Sequence, residues 1–353
     1  MARAPQPSRN AVVMAFDARG FRVGYAAALR LAHLAAGCYD VVVATEGCAD
    51  LRSLPVQPPS NMEIVVDDPA SFQPEGAPIS GVGPWTNWRL VAPVRLAGRY
   101  DRLLIVDFDV AARRSPAPLF DLDLEGNVLA AAWDAPMFEP ASRLHGAMVE
   151  RVLGLGVRRT DDYLNAGVML VDCAAWSASD MPGRVSEAFA RAGEKFAWPD
   201  QDCLSAVLDG AWTRLSPVWN FENVYMIAGI GSLIDPALLH YCGRKPWDGP
   251  RSADDAVAAL DMAAIHAAAG WPDPLFRYRA LPESRAERVK RMLGGGLRAR
   301  RKAAGRDDKI RRTAHWLLDD TAERIERGDY ADIRQGAARL DAAALRAAAA
   351  CLA

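Results

Sequence analysis

The sequence predicts an α/β fold with a largely parallel sheet, and two patterns support this prediction. Short apolar runs of strand character alternate with helix-length patterns over the first 250 residues of the 353-residue chain. Strands separated by helical segments are typical of layered proteins in which helices cover a parallel sheet. One run, Leu103–Val106, leads directly into two carboxylates. Such sheets bind their ligands at the carboxyl ends of their strands.

The predicted elements follow in chain order. The run Ala11–Ala15 predicts the first strand. Residues 22–37 predict the first helix, because apolar residues from Val23 to Leu34 recur at helical spacing and Gly37 closes the segment. Further strands are predicted at Val41–Thr45, Glu63–Val66, Leu103–Val106, Val128–Ala132 and Gly167–Val171.

The composition changes near residue 250, and this change predicts two regions. Residues 1–250 carry the alternating α/β pattern, whereas residues 251–353 show helical patterns without a convincing strand. Helices are expected over 253–270, 313–327 and 338–352, with Gly328 and Gly336 as breakers. We therefore expect an α/β domain over 1–250 and a helical, partly basic region over 251–353.

Composition and charge exclude several classes of protein. The chain has 42 basic and 44 acidic side chains, a balance that excludes a globally basic nucleic-acid binder. Its longest uncharged stretch, Gly76–Trp88, has 13 residues, fewer than the roughly 20 of a membrane-spanning helix. Met1–Asn10 leads into an apolar run too short for a signal peptide. Six cysteines without a CxxC pair indicate reduced thiols. These features predict a cytoplasmic protein.

One segment departs from the near-neutral average. Residues 285–312 contain 12 Lys or Arg and 3 acidic residues. Such a segment is attracted to anionic lipid, at about 1 kcal/mol per basic residue near the surface. The sequence is therefore compatible with peripheral contact at the inner face of a membrane. The alternative is a solvated helix face or a contact with an acidic partner.

Asp107 and Asp109 form the sharpest local feature. In extended chain their i, i+2 spacing places both carboxylates on one side and turns Phe108 towards the core. Like charges this close are unfavourable unless a cation lies between them. Hard oxygen ligands suit Mg²⁺ or Mn²⁺, which would bridge to a substrate diphosphate. The alternative is an ordinary loop in which one aspartate caps the next helix.

Three further motifs place polar groups beside apolar segments. Asn165–Gly167 precedes an apolar run and is either a ligand-binding segment or a turn that feeds a core strand. Asp200 follows a proline at a predicted helix start and is either a cap or a substrate ligand. His240–Trp247 contains an imidazole suited to a metal and a lysine suited to a phosphate, or forms a solvated loop.

Taken in order, these motifs resemble glycosyltransferase family 8, retaining enzymes with the GT-A nucleotide-sugar fold. The resemblance is to bacterial lipopolysaccharide galactosyl- and glucosyltransferases and to glycogenin, and it spans about residues 11–248. It rests on Met14–Asp17, Trp88–Leu90, Tyr100–Asp109, Asn165–Gly167, Asp200–Asp202 with Trp219–Asn220, and His240–Trp247. It implies a Rossmann-like mixed sheet flanked by helices, with a helical C-terminal extension.

The resemblance also implies roles for individual residues. Asp107, Asp109 and His240 would bind Mn²⁺ or Mg²⁺. Ala15, Asp17, Phe108, Gly243 and Lys245 would bind the nucleotide. Arg89, Asp134, Asn165, Ala166, Asp200 and Gln201 would surround the donor sugar, with Gln201 and Asp200 as the catalytic residues. Two routes to retention of the anomeric configuration stay open: a covalent intermediate, and same-face attack assisted by the leaving group. Because glutamine is a poor nucleophile, Gln201 favours the same-face route.

The implied function is metal-dependent, retaining transfer of glucose or galactose from a UDP-sugar to a saccharide or glycolipid acceptor. Synthesis of lipopolysaccharide or another surface glycan is the implied setting. One alternative is a non-catalytic nucleotide-sugar-binding protein. A sugar nucleotidylyltransferase is a second alternative, but residues 16–21 are not the glycine-rich basic loop that it needs. A dinucleotide dehydrogenase is disfavoured because no GxGxxG motif follows a strand.

Overall fold

A seven-stranded mixed sheet lies at the centre of the protein. The computed structural model describes residues 9–46, 53–77, 83–140, 142–243, 245, 253–271 and 296–353. Its strands are β1 (Asn10–Phe16), β2 (Asp40–Thr45), β3 (Met62–Val66), β4 (Arg102–Val106), β5 (Val110–Ala112), β6 (Leu129–Trp133), β7 (Leu164–Asp172), β8 (Thr213–Leu215), β9 (Phe221–Glu222) and β10 (Leu238–His240). The central sheet has the order β3-β2-β1-β4-β7-β6-β8.

The direction of β7 makes the sheet mixed. Strand β7 runs antiparallel to both of its neighbours, β4 and β6, while the other six strands share one direction. The start of β7 therefore lies beside the ends of β4 and β6. The expected mixed α/β sheet is confirmed, and the prediction of a largely parallel sheet holds for every strand except β7.

A second, three-stranded sheet extends from the carboxyl end of β4. Its order is β5-β10-β9, with β10 antiparallel to β5 and parallel to β9. In this register His240 pairs with Val110 on one side and with Glu222 on the other. The small sheet thus brings His240 next to the Asp107–Asp109 segment, 131 positions earlier in the chain when counted from Asp109.

Helices cover the sheet and form the C-terminal region. They are α1 (Phe21–Leu34), α2 (Trp88–Leu96), α3 (His145–Gly154), α4 (Cys173–Ala178), α5 (Met181–Ala192), α6 (Pro199–Leu208), α7 (Asn223–Ala228), α8 (Gly231–Ile234), α9 (Ala253–Ala268), α10 (Gly296–Glu326), α11 (Ala331–Arg334) and α12 (Ala342–Ala350). Strands β1, β2, β4 and β7 are buried along most of their length, as expected for a sheet with helices on its faces.

The C-terminal helices pack on the α/β domain through buried polar contacts. The carboxylate of Asp332 accepts a hydrogen bond from the backbone N–H of Ser216 at 2.8 Å and one from its hydroxyl at 2.6 Å. The guanidinium of Arg324 lies 4.2 Å above the ring of Trp133 and 3.1 Å from the carboxylate of Asp161. These buried groups need their partners, because an unpaired buried polar group is unfavourable.

The predicted strands agree with the longer strands of the structure, whereas the helices α2, α3 and α5 were not predicted. The short strands β5, β8, β9 and β10 were not predicted. Strand β7 begins three residues before the predicted Gly167, so the Asn165–Gly167 motif lies inside the strand. The predicted helices 253–270, 313–327 and 338–352 correspond to α9, the second half of α10, and α12.

Some predictions fall outside the described residues. The proposed boundary near residue 250 lies within the undescribed segment 246–252, and the basic segment 285–312 is described only from residue 296, where α10 begins. Among the described parts of the chain, no helix has the length and apolar character needed to cross a membrane. The five described cysteines, Cys38, Cys173, Cys203, Cys242 and Cys351, are all free thiols.

Candidate active site

The candidate site forms where β4 and β6 end and β7 begins. Strand pairing places Val106 opposite Val168 and Ala132 opposite Asn165. The register of the β6–β7 pair shifts between Ala131 and Ala132. Residues that follow β4 and β6 therefore meet the first residues of β7 at one edge of the sheet, although they are distant in sequence.

The Asp107–Asp109 segment forms a turn, which corrects the expectation of extended chain. Strand β4 ends at Val106, and the N–H of Val110 donates to the carbonyl of Asp107 at 3.1 Å. Phe108 is consequently half-buried at the surface of the core, not turned inwards as predicted from alternation. The side chain of Asp107 is 29% exposed and that of Asp109 only 5%. The turn still directs both carboxylates towards His240.

Asp107, Asp109 and His240 form the one group in the described part of the chain that could hold a metal ion. Their candidate ligand atoms all lie within 4.8 Å of one another. Nε2 of His240 is 3.7 Å from a carboxylate oxygen of Asp107 and 3.6 Å from one of Asp109. Two carboxylates and an imidazole form a donor set that fits a hard or borderline divalent cation.

Gly167 makes room for the imidazole. A Cβ added at this glycine would lie 2.1 Å from Cε1 of His240, closer than any real contact. The sequence suggested that Gly167 permits a close approach to a ligand. In the structure the group that approaches is the candidate metal-binding histidine itself.

A chain of buried amides continues from His240. Nδ1 of His240 lies 2.9 Å from Oδ1 of Asn220, and Nδ2 of Asn220 donates to Oδ1 of Asn165 at 2.9 Å. Nδ2 of Asn165 in turn donates to Asp134 at 3.2 Å and to Glu222 at 3.1 Å. The network connects the candidate metal cluster to two buried carboxyl groups.

Gln201 joins this network from helix α6. Its Nε2 donates to Oδ2 of Asp134 at 2.7 Å, and its Oε1 accepts from the N–H of Ala166 at 3.0 Å. Both ends of the Gln201 amide are thus held by groups that the resemblance assigned to the donor sugar. Asp134, Asn165, Ala166 and Gln201 are brought together as one cluster.

Arg89 connects the aspartates of two elements. Its guanidinium pairs with Asp107 and also lies 2.9 Å from Oδ2 of Asp200, and it donates to the carbonyl of Ala166. Both Arg89 and Asp200 are almost fully buried. Asp200 lies in the first turn of α6 but is not its cap residue, which is Trp198. Asp200 is therefore not the cap residue itself, although its carboxyl accepts hydrogen bonds from the backbone at Asp200 and Gln201 in addition to its ion pair with Arg89.

Lys245 lies over the Asp107–Asp109 turn. Its Nζ pairs with Oδ2 of Asp109, donates a hydrogen bond to the carbonyl of Tyr241 at 3.1 Å, and lies 5.6 Å from the centre of the Phe108 ring. Gly243, two residues earlier, has φ +72°, in the left-handed region that favours glycine. The loop after β10 therefore places a positive charge directly beside the candidate metal cluster.

Ala15 and Asp17 lie near the end of β1, next to β4. Ala15 lines a small cavity together with Trp85, Arg89 and Asp107. Asp17 is partly exposed, accepts from the N–H of Gly20 at 2.8 Å and lies 3.4 Å from Arg19. Ala15 thus joins the cluster directly, whereas the observed contacts of Asp17 are with its own loop.

Burial changes the acidity of the site carboxyls. Burial raises the pKa of Asp134, against hydrogen bonds from Gln201 and Asn165, and it raises the pKa of Asp200 against the charge of Arg89. Burial is the largest single effect on Asp109 and would raise its pKa, but the charges of Lys245 and His240 and the hydrogen bond from Lys245 together outweigh it and hold that pKa below its ordinary value. The carboxylate that faces Lys245 is therefore the one most strongly kept anionic.

Glu222 is a site residue that sequence reasoning missed. It is fully buried, it shares the Asn165 amide with Asp134, and the thiol of Cys242 donates to its Oε2 at 3.3 Å. Burial, followed by the charge of Asp134, raises its pKa well above the ordinary value. A glutamate between Asn220 and Asn223 was the available signal, but its burial comes only from the pairing of β9 with β10.

Comparison with known families and proteins identifies related chains. The model of the family described as "Glycosyl transferase family 8" matches residues 79–250. General stress protein A of Bacillus subtilis is 26% identical over 162 residues, which cover 42% of this chain and 53% of that protein. Glycosyltransferase GlyB of Streptococcus pneumoniae is 28% identical over 160 residues, 42% of this chain and 34% of that protein. The matched segments thus span about half or less of these curated relatives.

Two solved structures share the fold. The galactosyltransferase LgtC, in complex with donor and acceptor sugar analogues, superposes with a TM-score of 0.59 at 23% identity, over 73% of this chain and 95% of that one. The bifunctional glycosyltransferase WbbM, in its apo form, superposes with a TM-score of 0.60 at 21% identity, over 76% and 51% of the respective chains. These similarities confirm the expected GT-A fold.

Proposed function

We propose, from the premise that residues 79–250 belong to glycosyl transferase family 8, that this protein transfers a hexose from a UDP-sugar to an acceptor with retention of configuration. The observation that carries the proposal is the convergence of two sets of residues at one edge of the sheet. One set is the Asp107, Asp109 and His240 cluster. The other is the buried cluster of Asp134, Asn165 and Gln201.

The metal cluster would bind the leaving group. A donor set of two carboxylates and one imidazole fits Mn²⁺. It also fits Mg²⁺, although Mg²⁺ has a weaker preference for an imidazole ligand. When bound, the metal would neutralise the charge of the departing UDP diphosphate. Lys245, whose ammonium already lies at Asp109, would provide a second positive charge for the same phosphate oxygens. Gly243 would let the loop backbone approach the diphosphate.

The buried cluster would hold the donor sugar. Arg89 neutralises Asp107 and Asp200, so that carboxylates can stand beside the substrate without mutual repulsion. Asp134, Asn165 and Gln201 would present acceptors and donors to the sugar hydroxyls. The amide oxygen of Gln201 is engaged by the N–H of Ala166, which supports same-face attack over a covalent route through Gln201. Ala15, Asp17 and Phe108 would contact the nucleoside.

The acceptor is a saccharide or glycolipid, and surface-glycan synthesis on the cytoplasmic side of a membrane is the proposed setting. Peripheral contact through residues 285–312 belongs to this proposal. Part of the described charge is already paired: Lys309 lies 3.4 Å from Glu139, and Arg312 lies 3.1 Å from Asp308. Contact with lipid would therefore depend on the basic residues before 309. Flotation of the protein with anionic vesicles at low salt, lost at high salt, would support this contact. Absence of flotation at both low and high salt would contradict it.

Donor turnover tests the proposed function. The purified chain is incubated with UDP-glucose, UDP-galactose and GDP-mannose, with Mn²⁺ or with EDTA, and nucleotide release and sugar transfer are measured. We expect turnover of a UDP-sugar that requires the metal and falls at least about 100-fold in Asp109→Ala. Asp121→Ala, a change at an exposed aspartate, is the matched control.

Three results would contradict parts of the proposal. Equal turnover by the Asp109→Ala variant would exclude the metal role of Asp109. Inversion at the anomeric carbon, read by NMR of the product, would exclude retention. Binding of UDP-sugar by calorimetry without hydrolysis or transfer would favour a non-catalytic nucleotide-sugar-binding protein.

A further inference from the structure

A cavity of about 510 Å³ lies between the segment Ala135–Phe138, helix α7 and helix α10. Its volume falls within the roughly 300–1,000 Å³ that is usual for small-molecule sites. Its lining residues come from three separate parts of the chain, and they are Pro136, Glu139, Asn223, Val224, Ile227, Ala228, Lys309, Ile310 and Thr313.

The cavity adjoins the candidate donor-sugar cluster. Pro136 follows two residues after Asp134, and Asn223 directly follows Glu222. Nδ2 of Asn223 also donates to the carbonyl of Cys242 at 2.7 Å, which fixes this wall to the loop after His240. A molecule in the cavity would therefore lie beside the proposed reaction centre, on the side that faces α10.

The available lining is aliphatic. Val224, Ile227 and Ile310 are half-buried, so part of their apolar surface remains accessible. No aromatic ring is among the residues that line the cavity. The charged groups at the rim satisfy one another, because Lys309 lies 3.4 Å from Glu139 and the hydroxyl of Thr313 donates to the same carboxylate. Burying alkyl groups against such a wall is favourable because it removes apolar surface from water.

Helix α10 is held firmly as one wall of the cavity. Beyond the contact of Thr313 with Glu139, the ring of Trp316 packs edge-on against Trp133 at 5.9 Å. About two turns further along the helix, Arg324 stacks over the same Trp133 ring at 4.2 Å. Because Trp133 ends β6, immediately before Asp134, the wall and the donor-sugar cluster share one rigid support.

We propose that this cavity binds the alkyl chain of a glycolipid acceptor, with the acceptor sugar directed towards Asp134 and Gln201. The inference rests on the proposed function, and it narrows the acceptor from any saccharide to one with an apolar aglycone. Two features support this occupant: Val224, Ile227 and Ile310 form an accessible aliphatic wall, and the lining residues Pro136 and Asn223 lie close in the chain to the carboxyl groups of the buried cluster.

Direct binding tests the inference without requiring catalysis. Octyl and methyl glycosides of galactose and glucose are titrated into the full chain by calorimetry, below the micelle concentration of the octyl compounds. We expect the octyl glycoside of one sugar to bind with a stoichiometry of one and at least about tenfold more tightly than its methyl counterpart, which corresponds to about 1.4 kcal/mol.

Two variants locate the chain-binding site. Ile227→Trp fills the cavity, and Ile310→Ser removes aliphatic surface from its opposite wall. Each variant should bring the ratio of the octyl-glycoside affinity to the methyl-glycoside affinity close to one. Leu260→Trp, at a site on α9 that is 59% exposed, should leave the ratio unchanged. Circular dichroism checks that each variant is folded, and having two variants guards against failure of one to fold.

The outcomes separate the inference from the proposed function. Equal binding of octyl and methyl glycosides, or a full octyl preference retained in both cavity variants, would overturn the inference. A preference for the octyl glycoside that is lost in the cavity variants would support the alkyl site. If the wild-type protein then shows no sugar transfer, that result would count against the transferase activity and not against the alkyl site.

Discussion

Nδ1 of His240 lies 2.9 Å from Oδ1 of Asn220, and the hydrogen-bond network assigns the proton between them. Nδ2 of Asn220 donates to Asn165, so its Oδ1 is the acceptor that faces the imidazole. Nδ1 of His240 therefore carries the hydrogen, and Nε2 keeps its lone pair towards Asp107 and Asp109. A histidine that binds a metal is commonly oriented by such a partner on its other nitrogen.

Replacing Asn220 should weaken metal binding without unfolding the protein. Asn220→Ala removes the group that orients His240, and loss of such a partner typically lowers metal affinity about 10- to 100-fold. Titration with Mn²⁺, followed by electron paramagnetic resonance, measures the effect. Asn127→Ala is the control, because Asn127 bonds Thr213 at 3.1 Å in another part of the sheet. Equal Mn²⁺ affinity in the two variants would contradict the orienting role.

Replacing Arg89 should strongly destabilise the fold. Arg89→Met leaves Asp107 and the buried Asp200 without their positive partner. Removing one member of a buried ion pair usually reduces the free energy of unfolding by about 3–5 kcal/mol. Urea denaturation of the metal-free protein measures this change.

Arg99→Met provides the comparison for Arg89. Arg99 pairs with Glu63, but the two side chains are 48% and 46% exposed. Exposed ion pairs contribute about 0–1 kcal/mol. A loss in Arg89→Met no larger than that in Arg99→Met would show that the buried pair is not needed for stability.

Adding a single methyl group at Gly167 should disturb the metal cluster. The Cβ of Gly167→Ala would overlap the imidazole of His240, and overpacking of this kind typically reduces stability by about 1–3 kcal/mol. We expect Mn²⁺ affinity to fall at least about tenfold. Gly146→Ala adds the same group where no atom lies within 4 Å, so it should retain wild-type affinity. Unchanged Mn²⁺ binding by Gly167→Ala would show that the histidine moves freely.

The stability contributed by the C-terminal contact should depend on pH. Burial raises the pKa of Asp332, against hydrogen bonds from Ser216. Because the folded protein then holds a proton that the unfolded chain releases, stability falls as the pH rises above the ordinary aspartate value of 3.8. Asp332→Asn removes this titration and keeps an acceptor for the Ser216 N–H.

Denaturation at several pH values measures the effect at Asp332. The free energy of unfolding of Asp332→Asn, relative to wild type, should increase between pH 4 and pH 7. Asp121→Asn, at an exposed position, should show no such trend. A relative stability of Asp332→Asn that stays constant or falls over this range would contradict the prediction.

The long elements were predictable because their signal is local. Runs such as Val41–Thr45 are buried on both faces of the sheet and therefore read as continuous apolar segments. Strands of two or three residues, such as β9 and β10, are too short to form a pattern. They are strands only because distant segments pair with them.

Most members of the candidate site were predictable from the sequence, but Glu222 and the geometry of the site were not. The resemblance gave the two aspartates and His240, which do converge. The turn at Asp107–Asp109 could not be read from alternation, because a turn overrides the two-residue period of a strand. The pairing of Arg89 with Asp200 joins residues 111 positions apart, and the pairing that places Glu222 beside His240 joins residues 18 positions apart. Such contacts leave no trace in local sequence.

The anchoring of α10 on Trp133 has a consequence for how this protein could diversify. The proposed donor-binding residues all precede residue 246, whereas one wall of the neighbouring cavity belongs to α10. Exchange of the last 60 residues, with Arg324 and Asp332 retained as attachment points, would change the acceptor wall and leave the donor chemistry intact. If the cavity binds the acceptor as proposed, acceptor choice and donor chemistry would therefore reside in separate parts of the chain.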